Sequence, residues 1–440
     1  MNQRVNRREF LKTSSQTAGG LAAAAMFGHS RNTLAANDTV GVAIVGTRGR
    51  GKEHILGFHR HPGVKIVALC DVDDGVLHER ASQCEKLSGH SPKCYRDMRE
   101  VFDDKEVDAV SFATPNHWHA LGGIWAMQAG KHAYIEKPCS HNIWEGQQLV
   151  QAARKYNRIC QHGTQGRSSP AVREAIQKLG EGIIGKVYLA RGLCYKWRPS
   201  IGKVNGAQPI PAGIDYDLWL GPAPQKPLLR QQLHYDWHWQ WDYGNGDMGN
   251  QGVHEMDMAR WGLGVGLPTR IQSMGGHYMF DDDQETPNTL SCTFEYPDEG
   301  KMLDFETRHW ITNYEGGFGA GGSNNVGVLF YGSEGYMELE YFRYRTYLGQ
   351  KREPGPKGSG EGDHFKNFID AVRSGRRDVL TADIEEGHLS SALCHLGNIA
   401  YRSRRTIHFE PATQKILGDE EASLLLTRQY RSPFEVRALV

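Results

Sequence analysis

The chain has 440 residues with 51 lysines and arginines against 51 aspartates and glutamates, so no basic surplus points to a nucleic acid or an anionic membrane. Apolar residues at 39%, 52 glycines and a charged share of 23% describe a globular chain, and the length predicts two domains rather than one core. No run of roughly 18 apolar residues occurs, which excludes an ordinary membrane-spanning helix.

At the N-terminus, Asn6-Arg7-Arg8-Glu9-Phe10-Leu11-Lys12 precedes a weakly apolar stretch, residues 17–27, and then Leu34-Ala35-Ala36. This resembles a twin-arginine export signal, with Asn6 where Ser or Thr is more usual. The expectation is that residues 1–36 are a signal peptide and that the export machinery carries the protein, already folded, to the periplasm. Those residues hold five basic groups and one acid, so cleavage after Ala36 leaves 46 basic against 50 acidic groups, a formal charge of −4. A mildly acidic mature chain is a still poorer polyanion binder. The eight cysteines show no Cys-x-x-Cys pair and no metal-ligand spacing; Cys70, Cys160 and Cys292 sit in apolar runs as small buried hydrophobes, and no metal is expected.

Residues 37–160 read as a dinucleotide-binding domain. Val40-Gly41-Val42-Ala43-Ile44-Val45 is a buried strand that runs at once into Gly46-Thr47-Arg48-Gly49-Arg50-Gly51 and a helical stretch. Glycines there let the backbone turn and approach a pyrophosphate lying on the helix N-terminus. A second strand, residues 64–70, ends in Asp71, 20 residues past Gly51, where a carboxylate can accept from ribose hydroxyls. With Asp73 and Asp74 beside it, Asp71 disfavours a 2′-phosphate, so NAD is expected rather than NADP. Two more strand ends lead into Thr114-Pro115-Asn116-His117-Trp118-His119 and Glu136-Lys137-Pro138, which an open parallel sheet places at its ligand edge.

In this order and spacing, Gly46 to Gly51, Asp71, Thr114-Pro115-Asn116 with His119, and Glu136-Lys137-Pro138 resemble the Gfo/Idh/MocA oxidoreductases. The resemblance implies an α/β chain: a Rossmann domain, then over residues 161–440 an α/β domain whose large open mixed or antiparallel sheet forms the substrate face and often an oligomer interface, so a homo-oligomer is expected. It implies that Gly46, Thr47, Arg48, Gly49, Arg50, Gly51, Asp71, Thr114, Pro115, Asn116, His119, Glu136 and Lys137 hold NAD.

In the second domain a helix is expected up to Leu179 and strands at residues 186–195, 289–296, 302–307 and 336–341; the alternation of Leu290, Cys292, Phe294 and Tyr296 with polar residues gives one buried face. Residues 316–322 and 354–362 read as glycine-rich loops, and Leu389, Leu393, Leu396 and Ala400 as the inner stripe of a late helix. On a continuous helix Asn250, His254, Asp257 and Trp261 share one face. The resemblance puts His254 on the catalytic histidine, while Asn250 stands where many polyol dehydrogenases have Asp; an amide orients a hydroxyl but takes no proton, so the base role falls on His254, with Lys137 stabilising the developing alkoxide. The aromatic run at residues 234–243, read as extended, puts Trp237, Trp239 and Trp241 on one face for a sugar ring. Lys137, Arg167, Trp239, Tyr243, Asn250 and His254 are the expected substrate contacts.

The expected function is NAD-dependent oxidation of a hydroxyl on a sugar, polyol or glycoside. Outside the cytoplasm free NAD is scarce, so the cofactor is expected to be tightly held. That compartment also suits a redox-neutral glycosidase, working by oxidation, elimination, addition and reduction, with His119, Tyr195 or Tyr243 as its further base. The remaining reading is a non-catalytic NAD or sugar sensor.

Overall fold

The computed structural model describes residues 39–310 and 324–439, so the expected signal peptide and the loop at residues 316–322 lie outside the described residues. Six parallel strands make the first sheet: β1 (Val40–Val45), β2 (Val64–Cys70), β3 (Lys93–Tyr95), β4 (Ala109–Phe112), β5 (His132–Ile135) and β6 (Cys160–His162), in the order β3-β2-β1-β4-β5-β6. Strand β1 is buried along its whole length, as its uninterrupted apolar run requires in a sheet covered on both faces. The order reverses between β1 and β4, and a crevice opens there beyond the strand ends.

Residues 160 and 161 do not separate the domains. Ala133, Tyr134 and Ile135 pair with Cys160, Gln161 and His162, so β6 completes the first sheet. The first domain also borrows from the far end of the chain. Phe365, Phe368 and Ile369 of the helix His364–Ser374 pack with Val42, Ile44, Ile55 and Phe58, and Phe434 lies edge-on to Trp118 at 5.4 Å. The terminal segment therefore packs on its own chain, with Tyr430 Oη donating to Glu145 Oε1 at 3.2 Å.

The second sheet has ten strands: β7 (Val187–Lys196), β8 (Arg270–Gly276), β9 (Thr289–Tyr296), β10 (Lys301–His309), β11 (Asn324–Gly332), β12 (Gly335–Leu339), β13 (Arg343–Leu348), β14 (Glu353–Ser359), β15 (Ile407–Glu410) and β16 (Lys415–Ile416). Residues 354–362, expected as a loop, mostly form β14 against β13. The order is β14-β13-β12-β11-β7-β10-β9-β8-β15-β16; β7 and β10 run parallel and the other neighbours antiparallel. Leu290, Cys292, Phe294 and Tyr296 are buried as their alternation predicts, and Phe294 stands opposite Leu303.

The late helix, Ile384–Ser403, is buried on more than its apolar stripe. Leu393 and Leu396 join the second core, each contributing roughly 2 kcal/mol by burial. Its polar side meets both domains: Ser391 Oγ accepts from Cys139 N of the first at 3.2 Å, and Asn398 Nδ2 donates to Asn245 O of the second at 2.9 Å. The helix is thus the joint that fixes the segment after Lys137 against the substrate domain. All eight cysteines are free, and seven of them, Cys94 excepted, are buried. Among the described residues no helix is long and apolar enough to cross a membrane.

Candidate active site

A cavity of about 520 Å³ lies beyond the ends of β1, β4 and β5. Its floor is the glycine turn. Gly46 has φ +80°, and a Cβ on it would lie 2.7 Å from Thr114 N. A Cβ on Gly51 would stand 1.9 Å from Gly46 O, so only glycine lets the helix Gly49–His59 start this close to the strand. A Cβ on Gly49 would meet no atom within 4 Å, and Gly49 lines the cavity. Bare backbone at a helix start, open to a cavity, fits a dinucleotide's pyrophosphate.

Asp71, at the end of β2, lines the same cavity. Its Oδ2 accepts from Thr47 N at 2.7 Å and Thr47 Oγ1 at 3.0 Å, and its Oδ1 from Asp73 N at 3.1 Å. Burial raises the Asp71 pKa, and these three donors work against that rise. Thr47, expected as a cofactor contact, is fully buried; it aims Asp71 and does not line the cavity. Arg48, Arg50, Thr114, Pro115, Asn116, His119, Glu136 and Lys137 all do. His119 ties the two strand-end motifs together, one ring nitrogen 2.6 Å from Pro138 O and the other 2.9 Å from Thr114 O. Backbone carbonyls stand against both ring nitrogens, one of which donates in the neutral ring that burial favours, so His119 has no nitrogen turned to a substrate and is unsuited to the further base role.

Glu136 gathers contacts from two segments, the helix Gly49–His59 and the turn at Gln165. Its Oε1 accepts from Arg50 Nε at 2.7 Å and Gln165 Nε2 at 3.1 Å and lies 3.1 Å from His54 Nε2. Burial works to raise its pKa, but Arg50 and His54 outweigh that and hold it well below the usual carboxylate range. Beside it, Lys137 Nζ donates to Asn250 O at 2.8 Å and Asn250 Oδ1 at 3.1 Å. Burial brings the Lys137 pKa down to about 8; Glu136 opposes the fall and Arg50 and Arg198 add to it.

The expected face of four residues divides in two. The helix Gly246–Asn250 ends before the helix Gly252–Leu263 begins, so Asn250 and His254 lie on different helices. Asn250 lines the cavity, whereas His254, 8% exposed, does not and lies edge-on to the Tyr341 ring at 5.0 Å. Burial, then the nearby Lys137 charge, hold the His254 pKa well below the usual imidazole range. Asp257 accepts from Arg167 Nε at 2.9 Å and Ser390 Oγ at 2.7 Å, and Trp261 stacks 4.7 Å from the Arg167 guanidinium. Arg167 is therefore bound up in the domain core rather than turned to a substrate.

The aromatic run is not extended. Asp236–Trp239 is a turn of 3₁₀ helix, so its side chains repeat every three residues instead of every two. Trp239 is buried against His309 at 5.1 Å and Tyr243 against Trp219 at 4.9 Å; neither lines the cavity. Its aromatic wall comes instead from Tyr235, Trp237, His238 and Trp219, with the Trp237 and His238 rings stacked at 3.6 Å. Tyr195 lies away from the cavity beneath Arg308, 3.8 Å from its ring.

Sequence reasoning also passed over Asp247 and Arg198. Asp247 stands three residues before Asn250, a helical spacing that could have flagged it; Arg198 joins it from 49 positions away, with no local signal.

The model of an oxidoreductase family's NAD-binding Rossmann fold matches residues 40–164, and that of an oxidoreductase family's C-terminal alpha/beta domain matches residues 171–288 and 354–436. A protein of Shewanella pealeana named as a glycosyl hydrolase family 109 protein is 30% identical over 176 residues, 36% of this chain and 39% of that one. A protein of Solibacter usitatus with the same name is 33% identical over 168 residues, 36% of this chain and 38% of that one. The chain thus spans about two fifths of the length of these curated relatives. Among solved structures, levoglucosan dehydrogenase in complex with NADH and levoglucosan superposes with a TM-score of 0.63 at 18% identity, over 84% of this chain and 99% of that one. The WlbA dehydrogenase of Bordetella pertussis, in complex with NADH and UDP-GlcNAcA, gives a TM-score of 0.62 at 18% identity, over 84% and 99%. At such identities the likeness is one of fold.

Proposed function

Because the chain belongs to the Gfo/Idh/MocA oxidoreductases, with an NAD-binding Rossmann domain followed by an α/β domain, we propose that it oxidises a hydroxyl of a sugar, polyol or glycoside with tightly held NAD. The observation that carries this reading is Lys137: an amine on the cavity wall, anchored by Asn250, whose pKa of about 8 lets it take and return a proton near neutral pH. The backbone at Gly46 and Gly49 would cradle the pyrophosphate, Asp71 would accept from the ribose, and Thr114 to Asn116 would border the nicotinamide end. When bound, NAD supplies a hydride acceptor. Asn250 orients and takes no proton. His254, neutral and set back from the cavity, is the weaker base, so the proton work moves to Lys137. Trp237 and His238 offer flat faces to the C–H side of a sugar ring.

A second reading is redox-neutral glycoside cleavage on the same site, favoured by the glycosyl hydrolase names of the curated relatives. The Arg7-Arg8 segment supports export to the periplasm with the cofactor already bound, and the open ten-stranded sheet supports a homo-oligomer.

Denaturing the purified mature protein is expected to release NAD at close to one per chain. Incubation in D2O with p-nitrophenyl glycosides of the common hexoses and N-acetylhexosamines, without added NAD, separates the readings. Nitrophenol release with deuterium gained by the sugar supports cleavage, and ketosugar without nitrophenol supports simple oxidation. Binding without turnover by a chain whose Lys137→Ala variant behaves identically would leave only the sensor.

A further inference from the structure

Asn250 stands between a cation and an anion. Its Oδ1 accepts from Lys137 Nζ at 3.1 Å, and its Nδ2 reaches toward Asp247 Oδ1 at 3.4 Å. An amide has one accepting end and one donating end, so a carboxylate fixed on one side decides which end faces the other. Asp247 is fixed: it is 1% exposed, its two oxygens accept from Arg198 Nε at 2.9 Å and Nη2 at 2.7 Å, and His309 Nε2 lies 3.1 Å from Oδ2. Arg198 is itself held over the buried Trp239 ring, 5.4 Å from its centre. Asp247 does not line the cavity.

We propose that Asp247 is a positioning residue for Lys137: anchored by Arg198, it holds the Asn250 amide with its oxygen toward Nζ and lends, at one remove, the negative charge that an amide lacks. The proposal rests on Lys137 as the proton-handling group. The groups that face Lys137 bear it out as a balance. Glu136 is matched by Arg50 and Asp247 by Arg198, while the imidazoles of His119, His238 and His254 are kept uncharged by burial. Removing Asp247 unbalances one pair and frees the amide together.

The test needs no substrate. Competitive acetic anhydride labelling of the full chain, with the Lys137 peptide quantified by mass spectrometry across pH, reads when Nζ becomes a free amine. Wild type is expected to have its midpoint near pH 8. Asp247→Asn should lower it by about one pH unit, because Arg198 is left uncompensated, and Asn250→Asp should raise it by about one, because an anion then touches Nζ. Should Asp247→Asn fail to fold, the double variant Asp247→Leu with Arg198→Met decides, since it leaves no oxygen at position 247 to hold the amide. It removes both charges together, so a midpoint still below wild type shows the freed amide at work, whereas a folded double variant at the wild-type midpoint would overturn the proposal. An unmoved midpoint in folded Asp247→Asn would overturn it equally. Failure of the wild type to turn over any glycoside, with the midpoints moving as described, would count against the functional reading and leave this one standing.

Discussion

The two walls of the cavity are built from different materials. On the dinucleotide side the surface is backbone: Gly46 N donates to Cys70 O at 2.8 Å and Ala113 N to Val45 O at 2.9 Å, so the parallel ladder itself sets Asp71 and Thr114 beside the glycine turn. On the substrate side the surface is side chains, and partners from distant positions hold them: Asn250 holds Lys137, Asp247 with Arg198 stands behind Asn250, and Tyr243 backs Trp219. A wall made by a ladder tolerates little at a few glycines and much elsewhere. A wall made by ion pairs and amide contacts depends on each partner.

That contrast can be broken by substitution. Lys137→Ala should lower turnover by about 10²–10⁴-fold, the usual range for a general acid or base, while the protein still copurifies with NAD; loss of NAD as well would erase the distinction between the walls. Arg167→Ala leaves Asp257 buried without its partner and should cost about 3–5 kcal/mol in urea unfolding. If instead stability held and only sugar affinity fell, Arg167 would belong to the substrate wall after all. Gly51→Ala should cost about 1–3 kcal/mol and most of the bound NAD, since its Cβ would meet backbone at 1.9 Å. Gly49→Ala, with nothing in the way, should leave the unfolding midpoint unchanged and weaken only NAD.

The last effect depends on pH. With its folded pKa lowered to about 8 from an unfolded 10.5, Lys137 favours the unfolded state whenever it is protonated. This destabilisation is complete below pH 8 and disappears as pH rises toward 10.5. Lys137→Met should therefore gain about 1–3 kcal/mol near pH 7 and converge on wild type above pH 10.5. Equal stability at both ends would mean that the amine is better solvated than its surroundings indicate.

The same division governs how much could be read from the sequence. The apolar run into Gly46 to Gly51, Asp71 at the next strand end and Glu136-Lys137 at another are local patterns, and the parallel sheet assembles them without further information. Strand β9 was legible because alternation at period two has one structural meaning when one face is buried. The run at residues 234–243 was not, since one 3₁₀ turn, entered at Tyr235 with φ +68°, changes the period and exchanges which aromatics face inward. Arg167 looked like a ligand contact because its partner Asp257 is 90 positions away, and the assignment of Asp257 to a face shared with Asn250 assumed a helix that breaks at Gln251. The boundary at 160 failed for a related reason: a three-residue strand is too short to show a period, and only pairing with β5 reveals it.

The central claim is that Lys137 handles the proton in the cavity where NAD, when bound, would supply the hydride acceptor. Rapid mixing of the NAD-bearing mature protein with the p-nitrophenyl glycosides and the corresponding free sugars, following the absorbance of reduced nicotinamide across pH, tests it directly. The account predicts a transient whose rate rises with pH through a midpoint near 8 in wild type and is absent in Lys137→Ala. A Lys137→Ala trace matching wild type, or sugar conversion with no change in nicotinamide absorbance, would contradict it.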